Sequence, residues 1–136
     1  MNLKIRLTIM SFLQFFVWGA WLITIGTYCI NAKHWTFPQF GAIFSTLALS
    51  SLVMPAITGI IADRWINAER LYGVLHLLYG CILFFVPGVN DPDVLYYYIL
   101  AAMLCYMPTI SLSNSVAYTI LKGNNFDVVK VFPPIR

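Results

Sequence analysis

Four long stretches without a charged side chain limit what this chain can fold into. None of them contains Asp, Glu, Lys or Arg, and they cover residues 7–32, 38–62, 71–90 and 94–121. Each stretch is about as long as the roughly 20 residues that a helix needs to cross the hydrocarbon core of a bilayer. Only 10% of all residues are charged, against about 25% in an ordinary soluble domain. The sequence therefore predicts an all-α transmembrane protein with four spanning helices. We place these helices at residues 7–30, 40–62, 71–89 and 94–121.

The basic residues indicate which way the chain faces. Apart from Lys33, all of them precede the first predicted span, join the second to the third, or follow the fourth; they are Lys4, Arg6, Arg64, Arg70, Lys122, Lys130 and Arg136. Cytoplasmic segments of membrane proteins carry an excess of Lys and Arg. We therefore expect the N-terminus, the turn at residues 63–70 and the tail at residues 122–136 to be cytoplasmic.

The sequence offers little for soluble-enzyme chemistry. Cys29, Cys81 and Cys105 fall within or at the end of apolar stretches, where neutral thiols behave as small hydrophobic groups. No two cysteines are close in sequence, and His34 and His76 stand apart, so no metal-ligand spacing is present. A nucleophilic triad, a phosphate-binding glycine loop and a basic nucleic-acid patch are absent as well. We predict that the protein is not an enzyme, binds no nucleic acid and uses neither a metal nor a cofactor.

A polar and aromatic face marks the first predicted span. Gln14, Trp18 and Trp21 are spaced by four and three residues, which places them on one side of a helix. An amide and two indoles can hydrogen-bond to a flat polar solute and stack on it. Tryptophans are also common near membrane interfaces and in helix contacts. Direct solute contact by Gln14 and Trp18, and a role in helix packing, both remain open.

The fourth predicted span changes from apolar to polar at Pro108. The polar residues that follow it are Thr109, Ser111, Ser113, Asn114, Ser115, Tyr118 and Thr119. Polar groups that face lipid are costly, so this half of the helix faces either a water-filled cavity or another helix. The pair Asn114 and Tyr118, one turn apart, is the candidate for solute contact.

One histidine is embedded in the predicted spans. His76 has Gly73 three residues before it and Gly80 four residues after it, which leaves room around the imidazole. Histidine titrates near physiological pH and can relay protons within a membrane. A hydrogen bond to a neighbouring helix is the alternative role.

The tail at residues 122–136 combines helix-ending and helix-starting residues. Gly123 and Asn124 are typical of helix ends, whereas Pro133 and Pro134 suit the first turn of a new helix. We expect a cytoplasmic loop followed by the start of a fifth spanning helix. Residues 1–136 would then form an incomplete N-terminal transmembrane domain.

The turn between the second and third predicted spans resembles a known loop. Its relevant residues are Gly59, Asp63, Arg64 and Arg70. They resemble the signature loop between the second and third helices of the major facilitator superfamily, whose members have two six-helix halves. The resemblance implies that the four spans are the first part of the six-helix N-terminal half of such a fold. It also implies that this gating motif holds a cytoplasmic gate, through charge pairs of Asp63 and Arg64 with a helix end of the other half.

The whole chain is similar to the bacterial nucleoside permeases, the nucleoside:proton symporter family. The segments that carry the similarity are Met1-Asn2-Leu3-Lys4, Ser11-Phe12-Leu13-Gln14-Phe15, Trp18-Gly19-Ala20-Trp21, Met54-Pro55-Ala56, Gly59-Ile60-Ile61-Ala62-Asp63, Tyr106-Met107-Pro108-Thr109 and Phe132-Pro133-Pro134-Ile135-Arg136. The similarity implies uptake of nucleosides with protons across the bacterial inner membrane by alternating access. It also implies that Arg136, at the beginning of helix five, contacts the solute or takes part in coupling. Helices five to twelve would supply most other substrate contacts and the coupling carboxylates, so this chain alone would not transport.

Two other functions fit four spans. A naturally short four-helix membrane protein could act as an assembly or regulatory partner without transport of its own. A small drug-exporter-like subunit that works as a dimer also has four spans. Such an exporter requires a membrane-embedded carboxylate, and no predicted span contains one.

Overall fold

Four long helices account for most of the chain. The computed structural model describes residues 2–135. Its elements are α1 (Leu3–Thr27) with a π-helical turn at Tyr28–Ala32, α2 (Phe37–Arg64), α3 (Ala68–Phe85) with a 3₁₀ turn at Val86–Gly88, α4 (Pro92–Gly123) and a short α5 (Val128–Val131). Helices α1 to α4 are long and apolar enough to cross a membrane. This confirms the prediction of an all-α protein with four spanning helices.

Local sequence signals define where α2 and α4 begin. The N–H of Thr36 donates to the side chain of Gln39 at 2.9 Å, and Pro38 lies in the first turn of α2. The carboxylate of Asp91 accepts the N–H of Asp93 at 2.8 Å, again with a proline in the first turn of the helix. Such contacts satisfy N–H groups that have no partner within the helix. The loops before α2 and α4 therefore end in well-defined helix starts.

Helix α4 lies at the centre of the bundle. It packs along much of its length against both α2 and α3. Its inward-facing residues recur every three or four positions, as expected for one helix face. Those that are completely buried include Leu95, Ile99, Ala102, Met103, Tyr106, Thr109 and Leu121. A polar residue, Thr109, thus lies completely buried within a mainly apolar series.

The tail after α4 folds back onto the bundle. Phe132 and Ile135 are buried against the start of α1 and the end of α4. The N–H of Ile135 donates to the carbonyl of Phe132 at 3.0 Å, so Pro133 and Pro134 lie in a tight turn. The fifth spanning helix that the sequence predicts to begin at these prolines stays a prediction.

Candidate functional site

Gln14 of α1 lies at the junction of three helices and is 1% exposed. Its Nε2 donates to Oγ1 of Thr109 in α4 at 2.8 Å, and its Oε1 accepts the hydroxyl of Tyr72 in α3 at 2.9 Å. The backbone carbonyl of Gln14 accepts the hydroxyl of Tyr106, also in α4, at 2.5 Å. Because buried polar groups without partners are costly, these bonds hold α1 against α3 and α4.

The contact of Gln14 with α4 lies beside a proline. Pro108 sits inside α4 directly before Thr109. Proline has no backbone N–H, so the carbonyl four residues earlier loses its helical partner. The hydroxyl of Thr109 donates to the carbonyl of Tyr106 in the same turn, at 2.6 Å. Helix α1 is therefore joined to α4 where the hydrogen bonding of α4 itself is interrupted.

Trp18 lies one turn after Gln14 on the same side of α1. Its ring centroid is 5.9 Å from that of Tyr106. Its Nε1 is buried and has no hydrogen-bond partner among residues 2–135. A buried N–H normally finds an acceptor, because leaving it unpaired is costly. The indole N–H of Trp18 is therefore a buried donor without an acceptor among these residues. Direct contact of Gln14 or Trp18 with a solute stays a prediction.

Aromatic side chains from two helices, α1 and α3, surround Tyr106 of α4, which is completely buried. The ring of Tyr79 lies 4.9 Å from that of Tyr106, and the ring of His76 lies 6.1 Å from it. The indole N–H of Trp21 donates to the hydroxyl of Tyr79. The face of α1 that the sequence singles out thus meets aromatic residues of both α3 and α4.

His76 is half-buried beside a cavity of about 470 Å³ between α1 and α3. Its Nδ1 lies 3.1 Å from the backbone carbonyl of Tyr72. A carbonyl only accepts hydrogen bonds, so Nδ1 carries the proton. The cavity also borders Arg6 and Gln14. This hydrogen bond lies within α3 and does not reach a neighbouring helix. The role of His76 in a proton relay stays a prediction.

The polar half of α4 does not face one direction. Thr109 and Ser113 are buried, Asn114 is half-buried and Tyr118 is 46% exposed. Tyr118 lies nine residues after Thr109, which corresponds to about 13 Å along the helix and the opposite face. Its ring packs instead against Phe132 of the tail, at 4.5 Å. The structure does not bring Asn114 and Tyr118 together with Gln14, and their contact with a solute stays a prediction.

The gating motif spans the end of α2 and the start of α3. Gly59 is half-buried, and the charged residues Asp63, Arg64 and Arg70 are exposed. Within residues 2–135 the one ion pair joins side chains of the tail, so none of these three charges is paired there. They are free to pair with groups outside this part of the chain.

Arg136 lies outside the described residues, so its predicted contact with the solute stays a prediction. Between residues 2 and 135 no group of three or more His, Cys, Asp or Glu side chains could hold a metal ion.

Tyr72 and Tyr79 are not among the residues to which the sequence assigns a role, and Tyr106 appears there only within a segment that carries the family similarity. A signal for the first two was present, because Tyr72 and Tyr79 are seven residues apart. Gln14 and Trp21 have the same spacing. Two helices with polar residues at matching seven-residue intervals can pair along a shared seam.

The chain matches a family described as nucleoside H⁺ symporter over residues 1–136. It is 46% identical to the xanthosine permease of Escherichia coli (strain K12), and 40% identical to the nucleoside permease NupG of the same strain. Both alignments cover 100% of this chain and 32% of the relative. The chain thus spans about a third of the length of the relatives it matches. These relatives are transporters rather than enzymes.

The fold agrees with a solved structure. The crystal structure of NupG superposes on this chain with a TM-score of 0.96 at 40% sequence identity. The superposition covers 100% of this chain and 34% of that one. It confirms the predicted fold class, in which the four helices are the first part of a major facilitator fold.

Proposed function

The chain belongs to the nucleoside H⁺ symporter family, and on that premise we propose that it forms the N-terminal part of a proton-driven nucleoside transporter of the bacterial inner membrane. The observation that carries this proposal is the match of all 136 residues to the family. The complete transporter binds its nucleoside between two halves and opens alternately to either side of the membrane. Its partners are the nucleoside, protons, the surrounding bilayer and helices five to twelve of the complete protein.

Trp18 and Arg136 are the main solute contacts in this proposal. A nucleoside presents carbonyl and ring-nitrogen acceptors on a flat base, which suit the buried and unpaired indole N–H of Trp18. The guanidinium of Arg136 offers a rigid fork of donors to ribose hydroxyls or base carbonyls. Gln14 lies one turn from Trp18, while Asn114 and Tyr118 are further candidates on other sides of α4.

Proton coupling in this proposal depends on groups beyond the described helices. The charge-free stretches contain no carboxylate, and coupling requires a group that binds and releases a proton. We assign the coupling carboxylates to helices five to twelve and a relay role to His76, which borders the cavity between α1 and α3. The four helices alone would therefore lack a complete coupling pathway and would not transport nucleosides.

The gating motif would act at the cytoplasmic side. Asp63, Arg64 and Arg70 are exposed at one end of the bundle. They are unpaired within residues 2–135. We propose that they pair with a helix end of the other half when the cytoplasmic side closes, with Gly59 allowing close approach.

The orientation can be tested by labelling single cysteines in the complete transporter, in a background without its native cysteines. We expect Asp93→Cys, in the first turn of α4, to react with a membrane-impermeant maleimide in intact cells, because the start of α4 faces outward when the N-terminus is cytoplasmic. Arg70→Cys should react only after the cells are permeabilised. Both side chains are exposed, so accessibility within the protein does not limit the reaction. The reverse labelling pattern would place the N-terminus outside.

Uptake measurements test the function itself. Cells that lack their own nucleoside transporters and express the complete protein should accumulate labelled uridine or adenosine, and a protonophore should abolish the accumulation. Cells that express residues 1–136 alone should accumulate none, because the other half of the site and the coupling carboxylates are absent. Accumulation that is insensitive to the protonophore would contradict proton symport. Accumulation by residues 1–136 alone would contradict the assignment of the missing groups to the remainder of the protein.

A further inference from the structure

Four polar contacts join α1 to α3 and to the loop that follows it. They are Gln14–Tyr72, Trp21–Tyr79, Tyr28–Pro87 and Lys33–Asn90, and we call them the polar bridges. The partners are separated in sequence by 58, 58, 59 and 57 residues, respectively. A nearly constant separation means that α1 and α3 run in the same direction and in register.

The spacing of the polar bridges follows the helix repeat. The first three bridges lie seven residues apart. They begin at positions 14 and 21 of α1 and at position 28 in the π-helical turn that follows it. Seven residues make two helical turns, so a seven-residue interval keeps one side of each helix facing its partner over a long distance. The line of contacts between α1 and α3, which we call the seam, therefore runs from Gln14 in the middle of α1 to the segment that follows this helix.

Side chains rather than close backbone packing hold this seam together. The backbones of α1 and α3 hardly approach each other. A cavity of about 470 Å³ borders the Gln14–Tyr72 bridge, and a second cavity of about 320 Å³ borders Trp21 and Tyr28. A helix that rests on few close contacts can rotate or slide unless specific bonds prevent it. Here the hydrogen bonds of the polar bridges fix its position.

The Gln14–Tyr72 and Trp21–Tyr79 bridges lie on either side of Trp18, the proposed solute contact of α1. Trp18 lies between Gln14 and Trp21 on α1, and its unpaired N–H points in a direction set by the rotation of that helix. A shift of α1 by one residue would turn each of its side chains by about 100°. Both bridges would then break. The bridges thus define one rotation and one height for α1.

We propose that Tyr72 and Tyr79 of α3 are positioning residues for nucleoside binding. Their hydroxyls hold Gln14 and Trp21 and thereby orient Trp18 toward the nucleoside. This inference rests on the proposed function. It gives a role in nucleoside binding to α3, a helix that carries no proposed solute contact.

The tyrosine rings are held independently of their hydroxyls. The ring of Tyr72 lies 4.4 Å from that of His76, and the ring of Tyr79 lies 4.9 Å from that of Tyr106. Replacement by phenylalanine keeps these ring contacts and removes only the hydroxyl. The variants Tyr72→Phe and Tyr79→Phe therefore test the bridges without creating a cavity.

The test is nucleoside uptake by the complete transporter carrying Tyr72→Phe or Tyr79→Phe. We expect the KM for the nucleoside to rise about three- to tenfold in each variant, which corresponds to the loss of one buried hydrogen bond. The Vmax per transporter in the membrane should stay within about twofold. Tyr97→Phe is the matched control, because Tyr97 is 68% exposed on α4, and its KM should equal that of the unchanged protein.

A double variant tests whether the effect passes through the bridge. If Trp21 and Tyr79 act through their shared hydrogen bond, Trp21→Phe with Tyr79→Phe should raise KM no more than the larger single change. A KM shift equal to the product of the two single shifts would overturn the positioning role. Reduced protein levels or Vmax with an unchanged KM would overturn it as well, because these would indicate only a structural contribution.

If the unchanged complete protein takes up no nucleoside, the proposed function fails and the positioning role fails with it. Normal uptake with an unshifted KM in both tyrosine variants removes the positioning role alone.

Discussion

Arg136→Ala in the complete transporter is expected to abolish nucleoside uptake while the protein still inserts into the membrane. Alanine removes a charged fork of donors, and hydrogen bonds to charged groups contribute about 1.5–3 kcal/mol each. Two such bonds to the solute correspond to a loss of at least about 100-fold in uptake at low nucleoside concentration. Uptake of labelled uridine, normalised to the amount of transporter in the membrane, measures this effect.

Lys130→Ala provides the control for Arg136→Ala. Lys130 is a basic residue of the same tail, and it pairs with Asp127 at 3.6 Å on the surface of the protein. Exposed ion pairs contribute little to stability, so this variant should keep full uptake. Undiminished uptake by Arg136→Ala would remove Arg136 from the binding site. An equal loss in both variants would indicate a general effect of charge in the tail.

Gln14→Glu is expected to destabilise the helical bundle by about 3–5 kcal/mol, the usual cost of leaving a buried charge unpaired. Gln14 is 1% exposed, and its Nε2 donates to Thr109. A carboxylate has no hydrogen to donate. The hydroxyl of Thr109 already donates to the carbonyl of Tyr106, so it does not turn toward the new charge without losing that bond. Thermal unfolding of the purified protein in detergent measures the change.

Gln14→Met separates the effect of charge from that of the lost hydrogen bonds. Methionine has a similar length and no charge, and it leaves the hydroxyl of Tyr72 without its acceptor. This variant should lose about 1–3 kcal/mol. Equal stability of Gln14→Met and Gln14→Glu would mean that position 14 is reached by water or by a counter-charge, and the three-helix junction would need revision.

The number and type of the helices could be predicted because the bilayer leaves few alternatives. A charge-free stretch of this length must satisfy its backbone groups internally, and a helix does so within one segment. Helical spacing also places Gln14, Trp18 and Trp21 on one face. In the structure all three contact residues of α3 or α4 or lie beside them.

The partners of that face could not be predicted from the sequence alone. In a soluble helix the apolar stripe marks the buried side, but in a membrane the lipid-facing and bundle-facing sides are both apolar. Tyr106 therefore carries no local sign of the direction it faces, and for Tyr72 and Tyr79 the one sign is their seven-residue spacing. The polar residues after Pro108 surround α4, and only Thr109 of that group meets Gln14. The solute contact that the sequence predicts for Asn114 and Tyr118 stays a prediction, because these two residues lie apart from Gln14 on α4.

Gln14 and Trp21 lie 58 residues before their partners Tyr72 and Tyr79, so the two sides of these polar bridges are synthesised at different times. Gln14 and Trp21 enter the membrane with α1, before their partners on α3 have been made. At a synthesis rate of about 5–20 residues per second, roughly 3–12 seconds pass before Tyr72 and Tyr79 follow. The remaining partner of the Gln14 side chain, Thr109, arrives later still. Helix α1 is therefore the first of the four helices to be synthesised and among the last to gain the partners of its polar side chains.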